Sequence, residues 1–210
     1  MLLLAASGTL AALSFNPAQA GDEDAPVRIV VFGDSLAAGY GLPPGEGFSE
    51  RLGEWAAERW ERVSVENAGV SGDTTAGGLA RLDWTLTPPP DAVILELGAN
   101  DALRGIQPSE TRANLDAMLA RLGEAEVAVL LAGMLAPRNM GEDYVRAFEA
   151  IYPELAEAHD VILLPFFLEG VAAEPALNQA DGIHPNAAGV AIMVENIKPA
   201  VEVLVARARE

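Results

Sequence analysis

Short, nearly continuous apolar runs alternate along the chain with longer stretches in which apolar residues recur every three or four positions. The runs are VRIVVF (Val27–Phe32), AVILEL (Ala92–Leu97), VAVLLAG (Val127–Gly133) and VILLPF (Val161–Phe166). A strand covered on both faces, as in a parallel sheet, reads this way. RVSVENA (Arg62–Ala68) alternates in polarity and predicts a weaker strand at an edge. GFSERLGEWAAERWE sets Phe48, Leu52, Trp55 and Trp60 at helical spacing. SETRANLDAMLARLGEA opens at Ser109 and puts Leu115, Met118, Leu119 and Leu122 on one face. GEDYVRAFEAIYPELAEAH carries Tyr144, Phe148, Ile151 and Leu155, and a last helix is predicted from Asn186 to Ala206. The β-α order repeats five times, which predicts an α/β fold: a doubly wound, three-layer α/β/α domain. TPPPDA (Thr87–Ala92) is a rigid loop into the third strand.

The chain has 210 residues, half of them hydrophobic, enough for one domain with a sizeable core over residues 21–210. It has no cysteine, so no disulfide and no thiolate metal site is possible. The formal net charge of −18 argues against nucleic acid and anionic membranes as partners. It fits either adaptation to high salt or plain solubility. No internal window is long and apolar enough for a stable membrane insertion of ~20 residues. Residues 1–20, MLLLAASGTLAALSFNPAQA, are apolar and end in Ala18-Gln19-Ala20, a small-x-small pattern. They read as a signal peptide with cleavage near Ala20-Gly21, which predicts a secreted or periplasmic protein. The segment carries no Lys or Arg, so an ordinary N-terminal helix is the other reading.

In such a sheet ligands bind beyond the carboxyl ends of the strands. After the first strand stands Gly33-Asp34-Ser35-Leu36, after the second NAGVSGDTT (Asn67–Thr75), after the third LGANDALRG (Leu97–Gly105), and before the last helix DGIHPN (Asp181–Asn186). Asp181 and His184 are three apart in a turn marked by Gly182 and Pro185. That spacing can bring a carboxylate to Nδ1–H and leave Nε2 free as a base. The plain alternative is a capping aspartate beside a surface histidine. His159, the other histidine, ends a helix and suits a C-terminal role there. Ser35 is by default an N-cap, and becomes a nucleophile only if a base takes its proton. Donors for an oxyanion are available in the Ser35 N–H, the Gly72 N–H and the Asn100 side-chain amide. Asp34, Asp73 and Asp101 suit bonds to nearby backbone, and Tyr40, Trp55, Trp60 and Trp84 suit core or groove wall. Asp181 and His184 have no further ligand at metal spacing, so no metal site is expected.

The four stretches, in this order, resemble the SGNH hydrolases, also called the GDSL esterase/lipase family. The likeness covers essentially the whole chain after residue 20. Within the family it is nearest to the bacterial periplasmic branch of multifunctional acyl-CoA thioesterases, lysophospholipases and arylesterases, through GDSLAAGYG, VSGDTTAGGLARL, LELGANDALRG, FEAIYPELA, LLPFF and DGIHPN. The resemblance implies a flavodoxin-like sheet of five parallel strands. It implies Ser35 as nucleophile, His184 as base and then acid, and Asp181 as its orienter. Ser35, Gly72 and Asn100 would form the oxyanion hole. It implies no cofactor. In that branch the third block reads Gly-Gly-Asn-Asp; here Ala99 replaces the second glycine, a methyl expected to spare the chemistry and narrow the acyl entrance.

The activity expected is hydrolysis of carboxylic ester and thioester bonds in a small-molecule substrate with an acyl chain, by a monomer. The loops Gly133–Met140 and Phe166–Leu177 read as apolar enough for such a chain. A carbohydrate acetylesterase of the same family and a non-catalytic binding module are the alternatives.

Overall fold

The structure, a computed structural model, describes residues 25–210 apart from residue 86. The segment read as a signal peptide lies outside the described residues. Five parallel strands form one sheet: β1 (Val27–Gly33), β2 (Val63–Asn67), β3 (Ala92–Glu96), β4 (Ala128–Ala132) and β5 (Ile162–Leu164), in the order β2-β1-β3-β4-β5. The helices are α1 (Ser35–Ala38), α2 (Phe48–Arg59), α3 (Thr75–Thr85), α4 (Ala99–Leu103), α5 (Pro108–Glu124), α6 (Glu142–Glu149), α7 (Ile151–Ala158) and α8 (Ala187–Arg207). The sheet grows one way from β1 to β2 and the other way from β2 through β3, β4 and β5. Right-handed crossovers then put α2 on the opposite face from α3, α5 and α7. The packing agrees: α2 lies against α8, while α5 lies against α3, α6 and α7. This is the three-layer flavodoxin-like arrangement.

The burial explains the hydrophobic pattern. Strand β3 is buried at every residue, and β4 at all but its first. Strand β2, at one edge, buries Val63 and half-buries Val65 while Ser64 and Glu66 face out. Strand β5 departs from the reading of VILLPF as covered on both faces. It is the other edge, three residues long and half-buried, and it stops before Pro165, which has no N–H to extend a ladder. The single helix read from GEDYVRAFEAIYPELAEAH is two. Pro153 cannot donate to the carbonyl of Glu149 and its ring crowds it, and the break falls there, at Ala150. Helix α8 begins where its cap requires, Asn186 accepting from the N–H groups of Ala188 and Gly189. No described helix is long and apolar enough to cross a membrane.

The strand order reverses between β1 and β3. A crevice opens at such a point beyond the strands' carboxyl ends. Ser35 follows β1 and Asn100 follows β3, so both stand at its mouth.

Candidate active site

Ser35 is the first residue of α1, half-buried, immediately after the strand. It is Asp34 that caps the helix, its Oδ1 accepting from the Leu36 N–H at 3.0 Å. The Ser35 hydroxyl is thereby released from capping. Gly33 pairs in register with Glu96 of β3, and a Cβ at Gly33 would lie 2.3 Å from Glu96 Oε2. Only glycine lets the strand end approach that carboxyl, which accepts from the Asp34 N–H at 3.1 Å.

The loop before α8 folds back on itself. Asn178 and Pro185 form an antiparallel bridge, the Gln179 N–H donates to the His184 carbonyl at 2.7 Å, and the Asn186 N–H donates to the Leu177 carbonyl at 2.9 Å. The turn between them carries Asp181 and His184. Asp181 Oδ1 accepts from the backbone N–H groups of His184 (3.0 Å) and Ile183 (2.9 Å), and Oδ2 lies 2.7 Å from His184 Nδ1. These backbone bonds, with the imidazole bond behind them, pull the Asp181 carboxyl down to about 2. An ionised carboxylate only accepts, so Nδ1 carries the proton and Nε2 is left as an acceptor. Nε2 lies 2.9 Å from Ser35 Oγ. The Gln179 amide donates to the carbonyls of Tyr40 (2.7 Å) and Pro185 (3.0 Å), pinning this loop to the turn after α1. The Tyr40 ring leans on the imidazole, 4.6 Å between centroids. Tyr40 is thus a wall of the site.

Asn100 lies in the first turn of α4, and its Nδ2 donates to Asp34 Oδ2 at 2.9 Å. One of its two amide hydrogens is engaged there. Gly72 lies exposed between β2 and α3 with φ +83°, a conformation that favours glycine. Its carbonyl accepts from Arg104 Nη2 at 2.7 Å, and the Arg104 N–H donates to the Asn100 carbonyl at 3.1 Å. Ser35, His184 and Asp181 therefore form one hydrogen-bonded chain. Asn100 joins it through Asp34, and Gly72 is tied to the Asn100 helix through Arg104.

Residues 31–192 match the model of the GDSL-like lipase/acylhydrolase family. The chain belongs to that family. It is a serine esterase of the SGNH type. Esterase TesA of Pseudomonas aeruginosa is 40% identical over 177 residues, 84% of this chain and 88% of the relative. Thioesterase 1/protease 1/lysophospholipase L1 of Escherichia coli K12 is 44% identical over 160 residues, 75% of each chain. The crystal structure of AlinE4, an SGNH-hydrolase family esterase, superposes with a TM-score of 0.72 at 46% identity, covering 85% of this chain and 96% of that one.

Other residues singled out in the sequence have local roles. His159 caps α7 with Nε2 2.6 Å from Asp116. Asp73 pairs with Arg81 at 2.6 Å. Asp101, fully buried, accepts from the Thr75 N–H (2.8 Å) and the Thr111 hydroxyl (3.1 Å). Trp84 differs from its reading as core or wall: on α3 it stands 84% exposed. In the two apolar loops, Met134, Ala136, Phe167 and Val171 turn into the core, so little of that apolar character remains for a ligand.

Three residues at the site have no role assigned from the sequence: Glu96 and Arg104, which lie inside LELGANDALRG, and Gln179. Glu96 had a signal, a lone charge inside the buried run AVILEL. It is wholly buried, and burial, with Asp34 nearby, holds its carboxyl well above the usual range. Burial also raises Asp34 to about 6, against the pull of its bonds from Leu36 and Asn100.

Proposed function

We propose that this protein hydrolyses carboxylic esters and thioesters of small acyl substrates through a serine acyl-enzyme. The observation that carries the reading is the unbroken chain from Ser35 Oγ through His184 to Asp181, with contacts of 2.9 and 2.7 Å. Ser35 Oγ attacks the acyl carbon while His184 Nε2 takes its proton. The oxyanion is held by the N–H groups of Ser35 and Gly72 and the side-chain amide of Asn100. As the carbon–oxygen or carbon–sulfur bond breaks, His184 returns the proton to the leaving alcohol or thiol. Water then attacks the acyl-enzyme and gives His184 a proton. As the bond to Ser35 breaks, His184 passes that proton to Ser35 Oγ, freeing the acid and restoring the hydroxyl. Asp181 holds the imidazole in one tautomer and faces the imidazolium formed midway. Every role is filled on one chain, in keeping with a monomer that needs no cofactor.

An acyl chain suits the surroundings better than a sugar. Tyr40, Val70, Leu103, Leu135 and Ile183 are exposed hydrophobics, and all belong to connections leaving the carboxyl edge of the sheet. The relatives' names, esterase, thioesterase and lysophospholipase, point the same way. Export rests on residues 1–20 alone: the mature protein would begin at Gly21, outside the cytoplasm, and an intact mass retaining Met1 would refute it.

The test is steady-state kinetics of Ser35→Ala on p-nitrophenyl esters and acyl thioesters of several chain lengths, with acetylated sugars alongside. A loss of several orders of magnitude in kcat on an unchanged thermal transition is the expected result. Near-normal turnover refutes the mechanism, and a preference for acetylated sugars refutes the substrate class.

A further inference from the structure

We propose that Asp34 is a positioning residue for the oxyanion hole, its carboxylate, seated against the buried Glu96 carboxyl, holding the Asn100 amide in its donating orientation. The inference rests on the mechanism above and adds to it a residue outside the triad and the three donors.

Both carboxylate oxygens accept a hydrogen bond. Oδ1 accepts from the Leu36 N–H at 3.0 Å and Oδ2 from Asn100 Nδ2 at 2.9 Å. An amide rotated by half a turn would bring its oxygen to Oδ2, acceptor against acceptor. Asp34 therefore decides which end of Asn100 faces the reacting carbonyl, and one hydrogen on Nδ2 is left for the oxyanion. The same residue fixes a second donor: its Oδ1 bond shapes the first turn of α1, whose first N–H is that of Ser35.

Beneath lies Glu96, its Oε2 accepting from the Asp34 N–H at 3.1 Å, its Oε1 buried and without a hydrogen-bond partner among the described residues. A charged carboxylate oxygen would not be left so, and two buried carboxyls this close do not both ionise. The Arg81 guanidinium is near enough to favour a charge on Glu96. Yet three of its five N–H donors go to the Asp73 carboxylate and the carbonyls of Ala68 and Gly33, at 2.6 to 2.8 Å, and it makes no hydrogen bond to Glu96. The single charge of the pair thus falls on Asp34, both of whose oxygens are hydrogen-bonded, whereas Glu96 Oε1 has no partner among the described residues. Besides Glu96 from β3, the titratable groups facing Asp34 are His184 from the loop before α8 and Tyr152 from α7. Its charge attracts the imidazolium of His184, and that of the others does not compete, since Tyr152, fully buried, stays neutral.

A double-mutant cycle of Asp34→Asn and Asn100→Ala, with kcat and KM on one short ester, tests this. Asp34→Asn leaves one acceptor for two donors, so either the Leu36 N–H that shapes the Ser35 turn or Nδ2 of Asn100 faces an amide nitrogen. The kcat should fall ~10²-fold at little change in KM, the scale of a mispositioned catalytic group. In the Asn100→Ala background the same change should lower kcat by no more than ~3-fold, a quarter of the effect in free energy. Multiplying losses would overturn the proposal and leave the mechanism standing. A harmless Asn100→Ala would instead overturn the oxyanion assignment. If Asp34→Asn does not fold, the wild-type chain carries the test by NMR. The Asn100 side-chain amide and the Asp34 carboxyl carbon should then titrate with one common midpoint. Asn100 resonances indifferent to the Asp34 titration would overturn the proposal.

Discussion

Ser35 Oγ and His184 Nε2 stand 2.9 Å apart although 149 residues separate them in the chain. The contact exists because β1 and the loop before α8 both end at the carboxyl edge of the sheet, and because Gln179 bonds each side of the gap. Ser35 is held by its strand and helix. His184 is held by a short hairpin-like loop, so the weaker half of the pair is the histidine.

That asymmetry gives a prediction for Gln179. Gln179→Leu removes the donor to the carbonyls of Tyr40 and Pro185 and leaves the backbone bond to His184 in place. A buried carbonyl left unpaired costs ~1–3 kcal/mol. The bond to Pro185 is part-buried and that to Tyr40 exposed, so the loss should lie at or below the low end of that range and lower the thermal transition modestly. Activity should fall with it, in kcat more than in KM, because the displaced group is the base. A variant of wild-type stability and activity would show that the clamp contributes nothing.

Asn100→Ala removes a side-chain donor outright. Loss of one such donor costs ~10²–10³ in kcat, with KM changing much less because the ground-state oxygen is not yet charged. Asn100→Asp should be at least as damaging, since it sets an acceptor against both the oxyanion and Asp34. Gly72→Ala keeps its N–H, and its new methyl would meet only the Arg104 guanidinium, at 3.7 Å. The φ of +83° is the real obstacle, so its loss should come from a shifted backbone and vary with substrate size. Kinetics on a short and a long ester separate the cases.

Asp181 sets a pH dependence of stability. Its carboxyl lies at about 2 in the folded chain against an ordinary 3.8. The folded state therefore binds the proton less readily than the unfolded one. The stabilisation is complete above the unfolded value and is lost as pH falls through 3.8 toward 2. The gap in thermal transition between the wild type and Asp181→Asn should be constant from neutral pH down to ~5 and close below it. A gap that widens on acidification would contradict the assignment. At neutral pH the same variant should lose ~10³–10⁴ in kcat, the cost of an imidazole no longer held in one tautomer.

The sheet was legible because β1, β3 and β4 are covered on both faces and so are apolar throughout. β5 was overread, since an apolar run does not reveal that one side of the strand has no neighbour. Pro153 marks the break between α6 and α7 in the sequence itself, although the apolar spacing runs straight through it. The positions of Ser35, Gly72, Asn100, Asp181 and His184 followed from a rule about strand ends, for chemistry concentrates there whatever the loop sequence. Asp34 was read as an organiser of the Ser35 turn, which its bond to Leu36 bears out. Its bond to Asn100 was not foreseen, because nothing local links residues 66 apart. Gln179 and Arg104 were invisible for the same reason: each acts on a backbone carbonyl of another loop.

Ser35 as a nucleophile activated by His184 is the centre of the proposed mechanism. Incubation with a fluorophosphonate and intact-mass measurement, followed by peptide mapping, tests it most directly. The expected result is one adduct per chain on Ser35, abolished by Ser35→Ala and slowed severely in His184→Ala. A fully active chain that forms no adduct, or one whose inactivating adduct maps to another residue, would contradict it.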